Sequence, residues 1–210
     1  MLGILGGIAS GKSIVSESFE ALGALRIDGD QLGHQVLSDP EVKSALVERW
    51  GTSILRQDGS LDRRAISQRV FGGVGESATE LAFLESITHP RIGHRLSLAI
   101  DAARQQQVDV VIVDAAVMIK AGWDKQCDYI VFVDTPRELR LQRVVVRGWT
   151  ENEFAAREAA QTPVEIKRQR ADWIVDNSAS LEETFRQVKA VWHALHDKPS
   201  LPVTHLRSET

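Results

Sequence analysis

Residues Gly6-Gly7-Ile8-Ala9-Ser10-Gly11-Lys12-Ser13 fit the spacing G-x-x-x-x-G-K-[ST] at every fixed position. The spelling carries a chemistry. Glycines let backbone N–H groups curl around an anion, a lysine meets the outer phosphate charge, and a serine hydroxyl ligates Mg²⁺. A helix opened by such a loop adds free N–H groups and its positive dipole end. The flanks agree: Leu2, Ile4 and Leu5 form a short apolar run before the loop, and residues 14–22 after it show helical spacing. Strand, loop and helix in that order make Gly7, Ile8, Ala9, Ser10, Gly11, Lys12, Ser13 and Ile14 the expected nucleotide-binding segment. The first strand is short, which leaves open a start codon upstream.

The rest of the chain repeats the alternation. Residues 24–27, 108–113 and 129–133 are apolar runs that end at Asp28, Asp114 and Asp134, and Trp173-Ile174-Val175 precedes Asp176. These aspartates fall where strands hand over to loops, the ligand-binding edge of an open α/β sheet. Helical patterns over 78–106, 137–147 and 181–194 separate the runs, so the sheet is expected to be mainly parallel, the centre of a three-layer α/β fold. Residues 29–107 are too long for one crossover and read as a helical insertion, with His89-Pro90 as a helix junction and Gly72-Gly73-Val74-Gly75 as a loop. One domain over 1–196 is expected, with 197–210 a disordered tail carrying two prolines.

Composition excludes several classes. The chain has 210 residues, 43% hydrophobic, enough for one good core. A net charge of −4 argues against a surface built for nucleic acid. Cys127 is the only cysteine, so no internal disulfide forms, and no long apolar stretch or charged-then-apolar leader is present. The expectation is a cytoplasmic protein with small-molecule partners, no nucleic acid and no membrane, monomeric or weakly oligomeric.

Asp28-Gly29-Asp30 places two carboxylates directly after the second strand, close to the phosphate loop, where one could orient or deprotonate an attacking hydroxyl. The plainer reading is that Asp30 caps the next helix, and both can hold of one pair, one residue capping while the other faces substrate. Asp114 ends a strand in the position where an acid holds Mg²⁺ directly or through water. Arg140, Arg143 and Arg147 share one helical face, ahead of a Gly148-Trp149-Thr150 break. A solvated face explains most of these arginines, and a lid closing over ATP explains one or two. His89 before Pro90 could contact substrate or be structural.

Together with Gly59-Ser60-Leu61-Asp62-Arg63-Arg64-Ala65, Val70-Phe71, Leu84-Glu85-Ser86-Ile87-Thr88-His89-Pro90, Gln161-Thr162-Pro163 followed by Lys167, Ala171-Asp172 and Asp176-Asn177, these motifs stand in an order that resembles the dephospho-coenzyme A kinases. The resemblance runs from Leu2 to about residue 193. It implies a P-loop fold and transfer of the ATP γ-phosphoryl, with Mg²⁺, to the ribose 3′-hydroxyl of dephospho-coenzyme A. By position it implies Asp30 as the proton acceptor beside Asp28, Lys12 on the phosphate, and Arg143 on the transferred group. Arg147 then falls on the nucleotide, Ser13 and Asp114 on the metal, and Arg63, Arg64 and His89 on the acceptor, with residues 148–170 as lid. A related nucleoside or nucleotide kinase, or a nucleotide-binding relative without turnover, shares the loop. The chain departs from the family pattern at Leu5 where threonine is usual, Ala9 where glycine is common, Ile14 where threonine follows the loop, Ala116-Val117-Met118 where proline-leucine-leucine is usual, and Lys120 where glutamate is usual. The last reverses a charge near the expected substrate cleft.

Overall fold

A computed structural model of the chain describes residues 1–72 and 77–197. In chain order the elements are β1 (Leu2–Gly6), α1 (Lys12–Glu20), β2 (Leu25–Asp28), α2 (Gly29–Leu37), α3 (Pro40–Trp50), α4 (Arg63–Phe71), α5 (Ser77–Gln105) and β3 (Val111–Asp114). There follow β4 (Tyr129–Asp134), α6 (Arg137–Val146), α7 (Glu151–Ala159), α8 (Val164–Gln169), β5 (Trp173–Asp176) and α9 (Leu181–Asp197).

The sheet runs β2-β3-β1-β4-β5, and every pairing is parallel. Period-two alternation splits the strands between two cores. Leu2 and Ile4 of β1, Ile112 of β3, and Val131 and Val133 of β4 face α1 and α9, where they meet Val15, Phe19, Val188 and Val191. Leu5, Val111, Val113, Ile130 and Phe132 face the opposite layer with Val36, Leu46, Ile92, Leu96 and Ile100. The three-layer α/β reading therefore holds, and Asp28, Asp114, Asp134 and Asp176 are each the last residue of a strand. They stand in register as pairs, Asp28 beside Asp114 and Asp134 beside Asp176. The third strand starts later than its apolar run, because the Val108 N–H is drawn back onto Ala103 O at the end of α5.

Among the described residues four α-helices and a short 3-10 turn (Thr52–Ile54) fill the stretch between β2 and β3. Glu80 of α5 ties two of them together, accepting from Arg49 and from the Trp50 indole, and these donors hold its carboxyl down to about 2. The expected helix junction at His89-Pro90 is absent: α5 runs unbroken through Pro90. A proline there removes one i→i−4 bond. Ile92, Leu96, Ile100 and Ala103, buried on one face beyond it, outweigh that loss, and Arg91 Nη1 and Thr88 Oγ1 donate to the Ile87 and Leu84 carbonyls nearby. Gly72 caps α4, while Gly73, Val74 and Gly75, like the expected tail beyond Asp197, lie outside the described residues. Among those residues no helix is long and apolar enough to cross a membrane.

Candidate active site

The loop leaves β1 at Gly6 and enters α1 at Lys12. Ala9 and Gly11 both take left-handed backbone, φ 59° and 92°. At Gly11 only glycine fits, because a Cβ there would lie 2.0 Å from Asn177 Nδ2. The backs of these residues are clasped by donors. The Ser10 carbonyl accepts from Asn177 Nδ2 at 2.7 Å, Thr135 Oγ1 at 2.9 Å and Arg143 Nη1 at 3.2 Å. Arg143 Nη1 also reaches Ala9 O at 3.2 Å, and its Nη2 reaches Asn177 O at 2.8 Å. With these carbonyls turned into the scaffold, the N–H groups of the first α1 turn, which have no intrahelical acceptor, remain for an anion.

Two further cations brace the loop from below: Lys167, which sequence reasoning gave no role, and Arg140, which is buried rather than on the solvated face expected for most of the helix arginines. Arg140 donates to Thr135 O at 3.1 Å and pairs with Glu158 at 2.6 Å. Lys167, almost fully buried, donates to Gly6 O at 3.2 Å and to Gln161 Oε1 at 2.7 Å. Burial pushes its pKa down to about 8, helped by Lys12 and Arg140. Lys167 and Asn177 did stand among the ordered motifs, but spacing alone does not say that their partners are loop carbonyls.

In front of the loop lies a cavity of about 480 Å³, a size suited to a small-molecule substrate. One wall is residues 8–13 with Asp30; the facing wall is Leu81, Leu84, Glu85, Thr88, His89 and Ile92 of α5; Arg147, Trp149, Arg157 and Gln161 close a third side. Asp28 and Asp30 divide their labour, though not as the plainer reading expected. Asp28 is the cap of α2, its Oδ1 accepting the Asp30 and Gln31 N–H groups at 2.9 and 3.0 Å, and it does not line the cavity. Asp30 is thereby free to face the cavity. Burial raises its pKa, Lys12 pulls the other way, and Asp28 and Asp114 add to the rise.

The remaining expected residues separate. Lys12, Ser13 and Arg147 line the cavity, as do Ile8, Ala9, Ser10 and Gly11; Gly7 and Ile14 do not. His89 lines it, edge-on to Trp123 at 5.9 Å, its pKa lowered by burial. Arg63 and Arg64 are exposed at the start of α4, outside the cavity. Arg143 is spent on carbonyls rather than facing the cavity. Asp114 is buried, its Oδ2 taken by Arg26 Nη2 at 2.7 Å and Ser16 Oγ at 3.0 Å. Lys120 pairs with cavity-lining Glu85 at 2.6 Å, so its charge is compensated at the rim. Among the described residues no group of three or more His, Cys, Asp or Glu could hold a metal alone. Mg²⁺ suits the site nevertheless, because it keeps waters and substrate phosphate oxygens and needs only one or two protein oxygens, one of which the cavity-lining Ser13 hydroxyl offers.

A parallel sheet with this loop at the end of its central strand, and an acceptor-sized cavity opposite the lysine, is a P-loop kinase. A family model described as dephospho-CoA kinase matches residues 1–183. The dephospho-CoA kinase of Symbiobacterium thermophilum is 36% identical over 92% of this chain and 80% of its own, and that of Geobacter sulfurreducens 36% identical over 91% and 96%. Among solved structures, TT1252 from Thermus thermophilus superposes with a TM-score of 0.74 at 32% identity, covering 92% of this chain and 96% of that one. Shikimate kinase from Acinetobacter baumannii, at 16% identity and a TM-score of 0.51 over 93% and 92%, shares the fold. The chain belongs to the dephospho-CoA kinase family, whose reaction is the ATP-dependent phosphorylation that completes coenzyme A synthesis.

Proposed function

We propose that ATP lays its phosphates along Gly7 to Ser13 with Lys12 on the γ-phosphoryl, and that Asp30 accepts the proton of the ribose 3′-hydroxyl of dephospho-coenzyme A as it attacks. The observation that carries this is Asp30 itself: released from capping by Asp28, lining the cavity, and raised in pKa by desolvation there against the pull of Lys12. A carboxylate so placed is a better proton acceptor than an ordinary aspartate. Mg²⁺, bound with the nucleotide, would neutralise and orient phosphate oxygens, held by the Ser13 hydroxyl, with Asp114 behind it and already half-neutralised by Arg26. Arg147 at the end of α6 adds charge at the phosphates, and the Leu81, Leu84, Ile92 and His89 wall receives the acceptor. Positioning and charge neutralisation are what phosphoryl transfer asks of a protein. We read the protein further as cytoplasmic, acting on small molecules rather than nucleic acid, and monomeric or weakly associated, which sedimentation tests.

Asp30→Asn tests the central assignment in a coupled ADP-release assay. We expect kcat to fall by about 10²–10⁴ with the ATP dissociation constant nearly unchanged, because a general base acts on the acceptor. Removing a carboxylate whose pKa is raised on folding also takes away a cost present above that pKa, so the variant should melt slightly higher at pH 7. An equal loss of ATP affinity would reassign Asp30 to the metal. Wild-type turnover confined to a nucleoside would change the acceptor.

A further inference from the structure

Among the described residues, Arg157 of α7 differs from the cations around it in making no ion pair, the Glu153 carboxylate one turn away acting on it only at longer range. Arg137 and Arg140 pair with Glu158 at 3.1 and 2.6 Å, Arg168 with Asp134 at 2.6 Å, and Arg170 with Asp124. Arg157 has no carboxylate within ion-pair distance among the described residues. Its guanidinium lies 4.2 Å from the centroid of Trp149 and 5.2 Å from that of Phe71, and Nη2 donates to Ser67 Oγ at 2.8 Å. A guanidinium has five N–H donors, and this contact uses one. The group is half-buried, and it borders the cavity. A cation in that setting calls for an anion, and a planar fork that remains open is matched to phosphate.

Location narrows which phosphate. Arg140 and Arg143 make contacts to the loop's backbone, whereas the contacts of Arg157 are with α4 in the insertion and with Trp149. The triphosphate already has Lys12 and the α1 terminus. We propose that Arg157 is a specificity-determining residue that binds the phosphate groups of the acceptor, and that its seat on Ser67 and Phe71 is what sets the α7 segment down on the insertion. The proposal rests on the reading above of a phosphate-bearing acceptor, since dephospho-coenzyme A carries a diphosphate on the ribose whose hydroxyl is attacked.

Calorimetry on the full chain with dephospho-coenzyme A, and separately with a non-hydrolysable ATP analogue, tests it. Arg157→Gln should weaken dephospho-coenzyme A binding about 10- to 100-fold while the analogue changes less than about threefold, the range of one or two charge-assisted contacts. The dependence of dephospho-coenzyme A affinity on salt should become shallower, a change that a packing role would not produce. Arg157→Lys keeps the charge but not the fork, so it should retain the salt dependence and lose only part of the affinity, and it carries the test if the glutamine variant does not fold. Equal weakening of both ligands, weakening of the analogue alone, or unaltered affinity and salt dependence for dephospho-coenzyme A would overturn the role of Arg157. Failure of the wild type to bind dephospho-coenzyme A would instead overturn the acceptor assignment.

Discussion

The two sides of the phosphate loop are built on opposite rules. Behind it, Asn177, Thr135, Arg143, Arg140 and Lys167 all donate to backbone carbonyls of the loop or of the strand ends beside it. In front, Lys12, Arg147 and Arg157 line the cavity and make no ion pair among the described residues. Saturated donors fix a shape, and unsaturated ones wait for a ligand. An arginine on this helix is therefore not read by its charge but by which side of the loop it meets: Arg143 and Arg147 sit one turn apart and fall on different sides.

The largest break in that contrast should come from Gly11→Ala. The added methyl meets Asn177 and the residue must hold φ 92°, so the clasp opens. We expect a loss of about 1–3 kcal/mol in stability and at least a hundredfold in ATP affinity, measured by thermal melting and calorimetry. Arg143→Met should come next. If Arg143 is a clasp, ATP binding weakens about tenfold as the loop loosens. If it instead stabilises the transferring group, kcat drops while ATP affinity holds, and the division between the two sides fails. Ala9→Gly is the smallest change and runs the other way. It relieves left-handed backbone at φ 59° and should raise stability of the ATP-bound protein by about 1 kcal/mol or less, seen as a small rise in melting temperature.

How much of this was legible beforehand follows from what sequence encodes. The ends of β2 to β5 were readable because each of those apolar runs stops at an aspartate, and for β3 and β4 burial on both faces demands such runs. The loop was readable because its fixed residues serve backbone geometry. The capping of α2 was not, since Asp28 and Asp30 are the same residue type one position apart, and only the chain's turn decides which carboxylate bends back onto the N–H groups. Pro90 misled for a related reason: its local cost is visible in sequence, while the burial of Ile92, Leu96 and Ile100 that overrides it is tertiary. Arg143 and Lys120 show the limit for charges, whose partners, the loop carbonyls and Glu85, lie far away in the chain.

The unbroken passage of α5 through Pro90 has a mechanical meaning. The same 29-residue rod carries His89 at the cavity wall and Ile100 in the core beneath β3, so that wall is anchored to the sheet and cannot swing without dragging it. Closure over the substrates, if residues 148–170 are the lid we propose, is then left to the other side of the cavity, where Lys167 is hydrogen-bonded to the Gly6 carbonyl. The cavity would close as a vice with one fixed cheek.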